Sequence, residues 1–206
     1  MRSRMTARLV RLARLSAAIV LGDWDELRAL RRDAPSGEPD RGWREALLQS
    51  HLFAGFPRTV EAGEVLVQAG GLGRPDADET RPDPVGSADG RALFERIYAE
   101  KADDVRAALA RAHPVLARWI EGHAYARVLA RAGLTPLERE LLAIAALAAQ
   151  GQERQLASHV RGAIHVGGSI EDVGRAVAAV ADLVDEDALR RAERVVQRFA
   201  AGEPAG

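Results

Sequence analysis

The sequence contains no cysteine. This absence excludes disulfides, thiolate nucleophiles, zinc–cysteine sites and dithiol redox chemistry. The chain also has little net charge, because 29 basic residues nearly balance 30 acidic ones to give −1 at pH 7. No overall field therefore draws the protein to nucleic acid or to an acidic membrane surface. We expect no nucleic-acid partner.

Long apolar runs are absent as well. The first 20 residues carry five arginines and no acid, and the uncharged run from Leu15 to Gly22 is too short to span a bilayer. No clear small-residue cleavage site follows before Asp23. We interpret this segment as an ordinary first helix, and we expect a cytoplasmic protein without a membrane partner.

What the chain does contain favours helices. The length of 206 residues is enough for one sizeable domain or two small ones, and 47% of the residues are hydrophobic. Ala, Leu, Arg and Glu are frequent, and runs of β-branched residues with a period of two are scarce. The composition therefore predicts an all-α fold.

The most informative stretch runs from Leu134 to Val173. Thr135, Pro136 and Glu138 form the pattern of a capping box with proline at the first helical position, so a helix is predicted to begin there. Gly151 ends that helix. A second helix follows, on which steps of three and four residues place a polar stripe consisting of Gln152, Gln155 and His159.

These two segments resemble the carboxymuconolactone decarboxylase family, which shares its all-helical fold with alkylhydroperoxidase D. The resemblance rests on LTPLERELLAIAALAAQG, on QLASHVRGAIHVGG and on SIEDV, with Glu140, His159 nineteen residues later and Gly167 eight beyond that. It implies an alkylhydroperoxidase D-like fold. It also implies oligomers, and we expect a homo-oligomer, either a trimer of two-unit chains or a hexamer.

An earlier segment, EALLQSHLFAGFPRTVEA, is similar to the closing part of family domains but lies before the core motif. This order suggests an internal duplication with an offset of 130 residues, which aligns Gly37 with Gly167. Ala29 then stands opposite His159 and Val10 opposite Glu140, so only the second copy keeps the polar pair. We expect a degenerate helical repeat at 1–70, a Gly- and Pro-rich linker at 71–89, and the family-like unit at 90–206.

The resemblance also bears on chemistry. In the peroxidase branch of the family, two cysteines of a Cys-x-x-Cys pair precede the histidine by seven and four residues, and here those positions are Gln152 and Gln155. Amides cannot reduce a peroxide, so dithiol peroxidase activity is excluded. The decarboxylase branch needs no thiol. His159 suits proton transfer, Glu140 is placed to orient it, and the two glutamines are candidate donors to substrate oxygens.

Two arginines near the start of the motif helix, Arg131 and Arg139, are candidates for binding a substrate carboxylate, because a guanidinium matches it in a bidentate manner. The alternative is that they form surface ion pairs, and that His159 with Glu140 is a structural pair in the core. Phe53, Phe56 and Pro57 are candidates for the wall of the pocket, although an aromatic residue at a helix break is more often part of the core. The other histidines show no zinc spacing, so we expect neither a metal nor a cofactor.

Three function classes follow. The first, implied by the resemblance, is a thiol-independent decarboxylase or lactone-processing enzyme that acts on a small carboxylated substrate of aromatic-compound breakdown. The second is a non-catalytic oligomeric binding protein that keeps the fold without the redox residues. The third is a cysteine-free enzyme acting on another small acid or enolisable substrate. A solvent-reachable pocket shared by His159, Glu140 and Gln155 would favour an enzyme.

Overall fold

The computed structural model describes residues 4–80 and 88–202, which contain helices and no strand. The first helices are α1 (Ala7–Leu21), α2 (Trp24–Arg32) and α3 (Asp40–Gln68). Next come α4 (Ala88–Tyr98), a 3₁₀ turn (Ala99–Lys101), α5 (Ala102–Ala112), α6 (Pro114–Trp119) and a π-helix (Ile120–Leu129). The last are α7 (Pro136–Ala149), α8 (Glu153–His165), α9 (Ile170–Ala178) and α10 (Glu186–Ala200). The all-α prediction is confirmed.

The helix starts follow the cap residues in the sequence. The Thr135 hydroxyl accepts a hydrogen bond from the Glu138 amide at 3.2 Å, and the Glu138 carboxylate accepts one from the Thr135 amide at 2.8 Å. Ser169 and Asp172 form a second capping box at α9. Each box satisfies two amides that have no partner within the helix. The start at Thr135 is the one predicted above from its capping-box pattern.

Helix α3 contains a sharp kink. Gly55 lies at φ 74° and ψ 164°, a conformation that residues with a Cβ rarely adopt, and Pro57 follows two residues later. The kink directs the second half of α3 away from the first. A glycine and a proline two residues apart are the local sequence signal for such a break.

Helix α7 is the centre of the molecule. Every residue from Leu137 to Ala149 except Glu138 is buried, as expected for a helix that is covered on almost all sides. Helices α1, α3, α8, α9 and α10 all pack against it. One continuous core joins residues of both expected units, among them Leu12 and Trp43 from the first and Leu142 and Val173 from the second.

Helix positions in the two halves correspond at the offset of 130 residues. Shifted by that amount, α1 falls on α7, α2 on α8, the part of α3 before its kink on α9, and the part after it on α10. Gly37 and Gly167, which the offset pairs, both have positive φ values, 84° and 96°. This is the pattern that a duplication would produce, and the duplication itself stays a prediction.

The first part of the expected linker is attached to α3. Arg41 pairs with Asp78 and Arg44 with Glu79, both at 2.6 Å. The hydrogen bond from Arg44 lowers the pKa of Glu79 to about 2. Residues 81–87 of the linker lie outside the described ranges. Residues 76–80 thus form a docked turn that belongs to the N-terminal half.

Candidate functional site

A cavity of about 710 Å³ lies beside α8 and opens to solvent. Its walls come from α3 before the kink, the end of α4, α5, the π-helix and one face of α8. Most of the lining is apolar or aromatic: Leu52, Phe53, Val105, Ala108, Leu109, Ala112, Trp119, Ile120, Ala124, Leu129 and Ala157. Its polar side chains include Tyr98, His123, Tyr125, Arg154, Gln155, Ser158, His159 and Arg161. An apolar chamber with a few polar groups is the usual form of a small-molecule site.

His159 and Glu140 meet at the inner side of this cavity. The Nδ1 atom of His159 lies 2.8 Å from Oε2 of Glu140, whose side chain is 2% exposed, whereas that of His159 is 17% exposed. The ring of Phe53 packs edge-on against the imidazole, with ring centroids 5.8 Å apart. His159 therefore borders the cavity, with Glu140 behind it and Phe53 beside it.

Gly162 allows the carboxylate to reach the histidine. It lies one turn after His159 on α8, and a Cβ added there would be 2.8 Å from Oε2 of Glu140 and 3.0 Å from Cγ2 of Ile97. Both distances are shorter than an ordinary van der Waals contact. Helices α4, α7 and α8 can therefore approach this closely only because the position is a glycine.

Two tyrosines extend the polar wall of the cavity. Burial raises the pKa of Tyr98, while hydrogen bonds with Tyr125 and Ser158 act in the opposite direction. Burial also raises the pKa of Tyr125 well above its ordinary value, and the negative charge of Glu140 adds to this. Both phenols thus keep their protons at neutral pH. The sequence analysis did not single out either tyrosine, because neither lies in the motif segments.

The predicted glutamines occupy different places. Gln155 lines the cavity, one turn before His159. Gln152 does not line it, because it is the N-cap residue of α8 with φ −87° and ψ 66° and so precedes the helical repeat. Helical spacing therefore does not apply to Gln152, and the expected three-residue stripe is reduced to Gln155 and His159.

The predicted carboxylate-binding arginines are engaged elsewhere. Arg139 is 1% exposed and donates to the buried carboxylate of Glu45 at 2.7 Å, and Arg131 donates to the same group at 2.9 Å. Gln49 completes the cluster by donating to the backbone carbonyl of Arg139 at 2.8 Å. Neither arginine lines the cavity. Their buried pairing with a residue from α3 also differs from the surface ion pairs considered as the alternative.

Other side chains that can carry a positive charge line the cavity. Arg154 and Arg161 line the cavity from α8, where they flank Gln155 and His159. His123 lines it from the π-helix, and its Nε2 lies 2.7 Å from Nε2 of His51 on α3. The helical spacing of α8 could have indicated that Arg154 and Arg161 lie near Gln155 and His159. The contact between the two histidines could not be predicted in this way, because it joins helices that are distant in sequence.

Two further kinds of feature, metal-binding clusters and membrane-spanning helices, bear on the function of the described part of the chain. Within residues 4–80 and 88–202, no three His, Asp or Glu side chains come together in a group that could hold a metal ion. No helix in the same ranges combines the length and the apolar character needed to cross a membrane.

Comparison with known proteins agrees with the fold and the motif. Residues 114–198 match the model of the carboxymuconolactone decarboxylase family. The protein named Peroxisomal protein 2 of Schizosaccharomyces pombe is 31% identical over 135 residues, which are 63% of this chain and 62% of the relative. The alignment thus spans less than two thirds of the relative's length. The region from α6 to α10 is thus similar to the carboxymuconolactone decarboxylase family.

Proposed function

We propose that this protein is a thiol-independent acid–base enzyme, a carboxy-lyase or lactone-processing enzyme that acts on a small carboxylated substrate. The observation that carries the proposal is the position of His159 between the buried Glu140 carboxylate and an open cavity of about 710 Å³. A histidine with a purely structural role in the core would be enclosed by apolar side chains. The non-catalytic binding protein is the alternative.

His159 has the arrangement of a proton donor. Its Nδ1 is held by Glu140, so Nε2 is the ring nitrogen left for a substrate. Loss of carbon dioxide breaks a carbon–carbon bond, and the electron pair stays on the substrate as an enolate. The imidazolium of His159 then protonates the enolate carbon and regains its proton from solvent. Glu140 keeps the ring oriented and balances the positive charge.

Charge on the cavity wall supports an anionic substrate. Arg154 and Arg161 line it from α8, and Gln155 between them offers an amide donor. A guanidinium binds a carboxylate strongly in a site that is partly removed from water. The apolar residues on the other walls suit a ring or a short hydrocarbon. This division of the cavity fits a small acid that carries a ring.

The test compares His159→Gln with the wild type on a panel of lactones and β-keto acids, following carbon dioxide release. A general acid contributes roughly 100-fold to 10,000-fold in rate, so turnover should fall within that range while the thermal midpoint stays near that of the wild type. His113→Gln is the matched control, because His113 is exposed and lies outside the cavity. Activity of His159→Gln that matches its folded fraction would contradict the proposal and favour the binding protein.

Self-association and cytoplasmic location belong to the same proposal. Phe56, Val60 and Val67 lie exposed along the second half of α3, and Trp119 is exposed near the cavity. Exposed apolar groups of this size often mark protein contacts. A trimer of chains or a hexamer would cover them. Light scattering that gives a 22.2 kDa particle at micromolar concentration would contradict this expectation.

A further inference from the structure

Tyr98 is held rigidly at the edge of the cavity by other aromatic rings. Its ring centroid lies 4.5 Å from that of Phe94 and 6.1 Å from that of Tyr125, and the rings of Phe94 and Tyr125 are 4.8 Å apart. Phe94 is fully buried and Tyr125 is 4% exposed. Tilted and edge-on ring contacts of this kind fix both the position and the plane of a side chain.

The phenol of Tyr98 keeps its proton at neutral pH, because burial raises its pKa and outweighs the opposite effect of Tyr125 and Ser158. A protonated phenol can donate one hydrogen bond to a ligand oxygen. Because the ring lines the cavity and is fixed by its aromatic neighbours, that donor belongs to the wall of the site.

The backbone next to Tyr98 is constrained as well. Ala99 has φ 48°, and it is the one non-glycine residue with a positive φ among those that the structure describes. The Nδ1 of His165 on α8 donates to the carbonyl of Ile97 at 2.7 Å, which anchors the end of α4. Strain of this kind often occurs where a side chain must be held for function. Here it occurs directly after Tyr98.

We propose that Tyr98 binds the oxyanion that forms on the substrate, by donating its phenolic hydrogen bond to the enolate oxygen while His159 protonates the enolate carbon. This inference rests on the proposed function. Tyr98 and His159 line the same cavity, Tyr98 from the end of α4 and His159 from α8. Tyr98 remains protonated throughout, so the proton that is transferred comes from His159 alone. Preorganised donors of this type are the usual means of stabilising a developing oxyanion.

The experiment uses 4-nitrophenolate, an aromatic oxyanion whose visible absorbance changes when it binds, and titrates it into the full-length wild type and Tyr98→Phe. A lost hydrogen bond to a charged oxygen should weaken binding by about 10-fold to 100-fold. Nitrobenzene, which lacks the phenolate oxygen, should bind both proteins equally. Tyr125→Phe is the matched control, because Tyr125 lines the same cavity and belongs to the same ring cluster. If the Tyr98 hydroxyl is the one that donates to the oxyanion, Tyr125→Phe should weaken binding less than Tyr98→Phe.

Two results would overturn the inference: no binding of 4-nitrophenolate to the wild type, or equal binding by the wild type and Tyr98→Phe. Failure of the proposed function is a separate outcome. If Tyr98→Phe loses affinity for 4-nitrophenolate but no lactone or β-keto acid is turned over, the oxyanion site stands and the carboxy-lyase proposal fails. If turnover depends on His159 while Tyr98→Phe binds and reacts as the wild type does, the enzyme stands and the role of Tyr98 is rejected.

Discussion

Replacing Gly162 with alanine tests whether the close packing of α4, α7 and α8 sets the geometry of the site. The new Cβ would lie 2.8 Å from Oε2 of Glu140 and 3.0 Å from Cγ2 of Ile97, so at least one of these side chains must move. The Glu140 carboxylate is at the end of a flexible side chain, but it is buried and hydrogen-bonded to His159. Its displacement would pull on the imidazole or break that bond.

The expected magnitudes follow from two opposing effects. Alanine gains about 1 kcal/mol over glycine in a helix interior, whereas overpacking a core costs about 1–3 kcal/mol. Gly162→Ala should therefore be destabilised by about 0–2 kcal/mol. The catalytic effect should be larger, because a shift of about 1 Å in a reacting group can reduce the rate by roughly 100-fold.

Gly174→Ala is the matched control, because Gly174 lies inside α9 and its added Cβ would meet nothing closer than Val196 at 4.0 Å. Gly174→Ala gains the helix propensity of alanine without a steric clash, so the two variants differ by the overpacking cost alone. For a chain of this size, the thermal midpoint of Gly162→Ala should therefore lie about 2–12 °C below that of Gly174→Ala. Calorimetry and the carbon dioxide assay measure the two effects. A Gly162→Ala protein as stable as Gly174→Ala and as active as the wild type would refute the reasoning.

The remaining predictions concern stability. Glu45→Ala should cost about 3–5 kcal/mol in urea unfolding because it leaves Arg139 buried without a carboxylate, whereas Arg190→Ala, which breaks exposed pairs, should cost far less. Equal losses would contradict this. Because Arg44 lowers the pKa of Glu79 from 4.5 to about 2, the ion pair should stabilise the fold above pH 4.5 and lose that effect as the pH falls towards 2. The advantage of the wild type over Glu79→Gln should therefore shrink across this range, and a constant difference in urea midpoint would count against it.

Local sequence signals were enough for the helices and their ends. Thr135 with Glu138 and Ser169 with Asp172 are capping pairs that depend on residues three apart, and the break at Gly55 depends on a conformation that favours glycine. Such features act within one turn of the chain. They could be predicted because no distant residue is needed to form them.

The pairing of His159 with Glu140 was also accessible from the sequence, since both lie on neighbouring helices joined by a short turn at Gly151. The position of this pair beside a cavity could not be predicted from the sequence. The walls of that cavity come from α3, α4, α5 and the π-helix, whose approach to α8 is decided by packing over long sequence separations.

Tertiary structure decided the roles of the remaining polar residues. Arg139 is on the motif helix, yet it turns towards Glu45, 94 residues away, because a buried guanidinium requires a carboxylate partner and α3 supplies one. Tyr98 lies outside the motif and reaches the cavity because α4 ends against α8. Local sequence patterns thus specify which helices form and on which two of them Glu140 and His159 lie, whereas the packing of distant helices specifies which side chains share the cavity with that pair.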